Sequence, residues 1–169
     1  MPSDRLHAPG PRARDTGPPR TGSDEKATLL GFLGHLRDAI ANKAAGVPEP
    51  QVRTGGVPSG TNLLGLVKHL TCVERFYFLG EPVDDWARTM RPSPTETVEG
   101  VLAGYREAVE LADQAVAACP DLALPAPGPP HRDPAPSMRW VLVHMIEETG
   151  RHAGHADILR ERIDGSTGR

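Results

Sequence analysis

Residues 141–161 read VLVHMIEETGRHAGHADILRE, and this stretch decides the fold. At 100° per residue, with His144 at 0°, Glu148 falls near about 40°, His152 near about 80° and His155 near about 20°. All four share one narrow arc of a helix, and Trp140, Met145, Leu159 and Ile163 flank it. That face is expected to point into an interior. Burying several ionisable groups there is costly unless they are paired or ligate a metal.

Working outward, Ser137 is a good N-cap and Gly165 a good terminator, so the helix is expected from Met138 to about Ile163. Three further amphipathic helices precede it. The first is expected to start at Ser23, with Asp24 and Glu25 in its first turn and Leu29, Phe32, Leu33, Leu36 and Ile40 as its stripe; Gly46 and Pro48 end it. The second starts near Ser59 or Thr61 and runs through NLLGLVKHLTCVERFYFL to Gly80. Leu63, Leu66, Leu70, Val73, Phe76 and Tyr77 share its inward face, with His69 among them. The third is expected from Ser93, with Pro94 at the first helical position, and stops before Pro120. Asp84–Arg91 is short, and Trp86 is expected to pin it to the rest. Four amphipathic helices, no strand signal and only 4% aromatic residues make this an all-α four-helix bundle.

The 169 residues suit one domain, expected over residues 23–165. Most of the 18 glycines and 18 prolines fall in residues 1–22, 46–60 and 120–136. Residues 1–22 carry almost no large apolar side chain and are expected to form a disordered tail. Residues 120–136 carry seven prolines, a loop long enough to roof a pocket. A net charge of −3 excludes nucleic acid as the main partner. No apolar run is long enough for a membrane span and no secretory signal is visible, so a cytoplasmic protein is expected. Two cysteines, Cys72 and Cys119, are too few for a disulfide framework and read as small hydrophobes.

A His from one helix and a Glu/His pair at i, i+4 from another offer two nitrogens and one carboxylate oxygen. Such a set suits Zn²⁺, Ni²⁺, Fe²⁺ or Mn²⁺ and leaves positions open, as catalytic sites do. The same residues also suit a buried hydrogen-bonded cluster without metal. Both stand at this point. His35 lies on the first helix, while His7 and His131 fall in the tail and the Pro-rich loop.

TLLGFLGHLRDAI, NLLGLVKHLTCVERFYF and VLVHMIEETGRHAGHADILRE together resemble the DinB/YfiT-like superfamily, most closely its mycothiol S-transferase-like branch. The resemblance covers about residues 24–165. It implies an up-down-down-up four-helix bundle with a metal at one end, held by His69, Glu148 and His152. It further implies metal-dependent transfer of a low-molecular-weight thiol such as mycothiol to an electrophilic small molecule. A metal-binding module of the same fold without turnover is the alternative, and a homodimer is left open. His155 stands where many relatives carry Gln and is expected at the pocket or behind the ligands, as is His144. Tyr77 and Trp86 are expected to line the pocket. Arg75 reaches the pocket mouth in relatives, while its own position, like that of Glu74, reads as solvated surface.

Overall fold

The computed structural model describes residues 17–128 and 133–167. His7, His131 and most of the expected tail lie outside the described residues. Residues 17–22 form no helix, and the Thr21 hydroxyl bonds that of Thr28 at 2.6 Å.

Each long helix begins where a short polar side chain accepts a backbone N–H of the first turn. Asp24, one residue later than expected, caps α1 (Glu25–Ala44). Asn62 caps α2 (Leu63–Leu79), which closes at Gly80 with φ of 71°. Asp85 caps the single turn α3 (Trp86–Thr89). Thr97 caps α4 (Val98–Ala118). The expected start at Ser93 is instead a turn, in which the Glu96 carboxylate accepts the Ser93 N–H. Ser137 caps α5 (Met138–Asp164), and Gly165 ends it with φ of 74°.

Cross-helix contacts give the topology. Arg139 meets Glu25 and Lys43 meets Asp157, so α1 and α5 run parallel. Lys68 meets Glu96 and Arg75 meets Glu107, so α2 and α4 run parallel. His69 meets Glu148, while Tyr77, eight residues on, meets His144, so α2 and α5 are antiparallel. The bundle is therefore up-down-down-up.

Its interior is two apolar clusters rather than one. The first gathers Ile40, Leu63, Leu66, Leu70, Tyr105, Ala156 and Leu159. The second gathers Leu33, Val73, Phe78, Val116, Val141 and Met145. Between them runs a polar layer. In it Arg37 donates two hydrogen bonds to Glu74, at 2.7 and 2.6 Å, and a third to Asp113 at 2.8 Å. Burial alone would push Arg37 down and Glu74 up. The bidentate geometry holds them as an ion pair, and Arg37 stays charged because the Glu74 and Asp113 carboxylates more than offset its burial.

Several faces differ from expectation. Phe32 is 44% exposed, and the inward stripe of α1 is Leu33, Arg37, Ile40 and Ala44. Glu74, expected on the surface, is fully buried. The buried face of α5 is centred about 60° beyond the expected arc, so Trp140 is 46% exposed and His155 is exposed. Cys119 caps α4 and Cys72 is half-buried. The described parts of the Pro-rich loop are fixed by Ala126 N–H to Pro136 O and Met138 N–H to Leu124 O. They lie over the end of α2, where Gly128 approaches the Phe76 carbonyl too closely for any side chain.

Candidate metal centre

His69 lies in the second turn of α2, and Glu148 and His152 stand one turn apart near the middle of α5. Antiparallel packing brings one ligand atom of each within 4.8 Å of the others. Nε2 of His69 is 3.4 Å from Oε1 of Glu148, and Nε2 of His152 is 3.0 Å from the same oxygen. Glu148 and His152 are buried, and His69 is half-buried. The cluster sits between the two apolar clusters, not at an end of the bundle.

The far side of His69 fixes its tautomer. The Thr89 hydroxyl donates to the Trp86 carbonyl at 2.6 Å and lies 2.7 Å from Nδ1 of His69. Its one hydrogen is thereby used, so it accepts from Nδ1–H. Nε2 then carries a lone pair aimed at the Glu148 carboxylate. Protonation does not relieve this opposition near neutral pH. Burial, followed by the nearby Arg151 charge, lowers the His69 pKa. Burial, then His69, Arg151 and His155, lowers that of His152 to about 4. Nδ1 of His152 is buried without a partner. Two neutral imidazoles and a carboxylate converging within 4.8 Å fit a divalent transition metal. The second Glu148 oxygen contacts Arg151.

The remaining expected residues divide. Trp86 packs edge-on against His69, 5.8 Å between ring centroids, and Phe76 packs against Trp86 at 5.2 Å. Tyr77 continues the row from Phe76 to His144, which stacks on Trp140. Tyr77 and His144 thus line the same α2–α5 face, farther from the triad. The ring of His155 is 5.6 Å from that of His152. Arg75 is not brought to the site: it pairs with Glu81 and Glu107 on the α4 side. Thr89 and Arg151 also belong to the site and were not expected there. Arg151 was readable as the i+3 neighbour of Glu148; Thr89 had no signal, because its role arises from α3 folding back on α2.

An up-down-down-up bundle with a His, Glu, His set between its second and last long helices defines the class of molecule. A family model described as mycothiol S-transferase matches residues 28–165, and the chain belongs to that family. No curated protein matches it.

Proposed function

We propose that the chain transfers a low-molecular-weight thiol of the mycothiol kind to an electrophilic small molecule, at a divalent metal held by His69, Glu148 and His152. The observation that carries this is the opposition of the His69 Nε2 lone pair and the Glu148 carboxylate, 3.4 Å apart, with the tautomer fixed from behind. The donor set admits Zn²⁺, Ni²⁺, Fe²⁺ or Mn²⁺. Such an ion lowers the pKa of a bound thiol, so that thiolate forms at neutral pH.

The protein's own residues do the rest. His69 and His152 remain neutral, and Nε2 of His69 keeps its lone pair toward the site, for the reasons given above. Thr89 holds the His69 ring in one orientation. Arg151 adds positive charge beside the site, which favours an anionic sulfur. Trp86 shields one side of His69 from water. The thiol proton passes to solvent, the sulfur lone pair forms the new C–S bond, and the leaving group departs with the pair of its broken bond to carbon. Neither Cys72 nor Cys119 is needed as nucleophile, and burial raises the Cys72 thiol pKa.

Elemental analysis of protein purified without chelator is expected to find about one divalent ion per chain, retained in His35→Ala and lost in His152→Ala. Thiol loss with 1-chloro-2,4-dinitrobenzene is then compared for metal-loaded protein, metal-free protein and Glu148→Ala. Only the first is expected to be active. Equal rates in all three would overturn the proposal, and metal retention without thiol loss would leave a non-catalytic metal-binding module.

A further inference from the structure

We infer that the cavity between the 57–61 turn and the C-terminal half of α5 binds the apolar body of the electrophile, a substituted single aromatic ring or a branched alkyl group of similar size. The inference rests on the thiol-transfer proposal and adds the place and chemical class of the second substrate.

The cavity measures about 280 Å³ and is lined by Val57, Ser59, Thr61, His155, Ile158 and Leu159. His155 ties it to the triad, because its ring also packs against His152 at 5.6 Å. Three other recesses, of about 580, 410 and 270 Å³, border α4, which carries none of the triad.

The wall is built before any ligand arrives. Gly56 N–H donates to the Thr61 carbonyl at 3.2 Å, and Gly60 N–H donates to that of Val57 at 2.9 Å. Gly60 has φ of 80°, which lets the turn close without strain. Buried Leu159 forms the floor, wedged so tightly under Gly56 that a side chain there would collide with it. Val57 and Ile158 nevertheless stand 37% and 57% exposed. Two aliphatic side chains left in water across a concave, preformed surface are what an apolar ligand covers.

Polarity selects between the two substrates. Among the described residues no charged side chain lines the cavity, and the Ser59 and Thr61 hydroxyls bond each other at 2.9 Å. A polyhydroxylated thiol such as mycothiol would leave its hydroxyls without partners there, which is costly. An apolar electrophile would not. A dry cavity of roughly 150 Å³ takes benzene, so this one has room for a ring with one or two substituents. The carbon bearing the leaving group then faces His155 and the triad. The thiolate forms its C–S bond there as the carbon–halogen bond breaks, halide leaves with the bonding pair, and the thiol proton goes to water.

The test uses the full-length, metal-loaded protein and 1,3-dinitrobenzene, an aromatic with no halide to lose. Methyl NMR is expected to show saturable shifts at Val57, Ile158 and Leu159. Ile158→Glu and Val57→Glu, both at exposed positions, are expected to weaken binding at least tenfold with unchanged melting curves. No saturable binding, shifts confined to the Trp86–Trp140 side, or wild-type affinity in both variants would overturn the inference. Thiol loss with 1-chloro-2,4-dinitrobenzene is measured in parallel. Loss by the wild type that both variants retain in full overturns the cavity assignment alone. Absence of thiol loss in the wild type overturns the thiol-transfer proposal, whatever the methyl shifts report.

Discussion

Thr89 accepts the Nδ1 hydrogen of His69 across 2.7 Å while giving its own hydrogen to the Trp86 carbonyl, so a one-turn helix dictates which imidazole nitrogen faces Glu148. Thr89→Val keeps the shape and removes the acceptor. Metal affinity, measured by competition with a chelator, is expected to fall about 10- to 100-fold. Thr89→Ser is expected to restore it. Equal losses in the two variants would mean that packing, and not the hydroxyl, is what matters.

Gly65 is the point where α3 is held to α2. Any Cβ there would collide with the Met90 carbonyl oxygen, one residue beyond Thr89. Gly65→Ala is therefore expected to lower stability by about 1–3 kcal/mol in urea unfolding, despite the better helix propensity of alanine. Because the displaced backbone carries Thr89, metal affinity is expected to fall with it.

The Arg37–Glu74 pair is expected to be strongly asymmetric under mutation. Glu74→Ala leaves a guanidinium buried without its main partner, a loss of about 3–5 kcal/mol in urea unfolding. Asp113→Ala removes a partner whose side chain is 52% exposed, and is expected to cost no more than about 1 kcal/mol. The double variant Arg37→Met/Glu74→Leu is expected to recover most of the first loss. A Glu74→Ala protein as stable as the wild type would show that the pair contributes nothing.

Acid is expected to destabilise the metal-free protein through His152. Its pKa falls to about 4 on folding, from the 6.5 of an ordinary imidazole, with burial the first cause. Between those values the unfolded chain binds the additional proton. Stability is therefore complete above about 6.5 and declines as pH falls toward about 4. His69, also lowered, acts in the same direction. Melting temperatures across this window are expected to vary less with pH in His152→Gln than in the wild type. Parallel curves would remove His152 from the acid response.

The four long helices were legible because their apolar repeats and caps are local signals, and Ser137 and Gly165 bound α5 as read. The triad was legible because two of its members stand one turn apart and the third interrupts an apolar stripe. Finer placement was not. The arc read from the sequence was centred near Glu148, whereas buried Leu142, Thr149 and Ala153 pull the buried face beyond His152. Glu74 looked like a solvated charge because it finds its partner, Arg37, only across the bundle, 37 residues away in the chain. Thr89 was invisible for the same reason.

The polar layer between the two apolar clusters also acts as a register mark. Apolar surfaces tolerate repacking after a slip, since many arrangements bury similar area. A slip of one turn of α5 along α2 would carry Glu148 and His152 past His69, and a slip of α1 would part Arg37 from Glu74. Two such marks, on opposite sides of the bundle, leave one axial setting in which all the charges find partners. Replacing Arg37, Glu74, His69, Glu148 and His152 together by apolar residues is accordingly expected to keep the helical circular-dichroism signal and broaden the side-chain NMR spectrum, the mark of helices free to sit at more than one height.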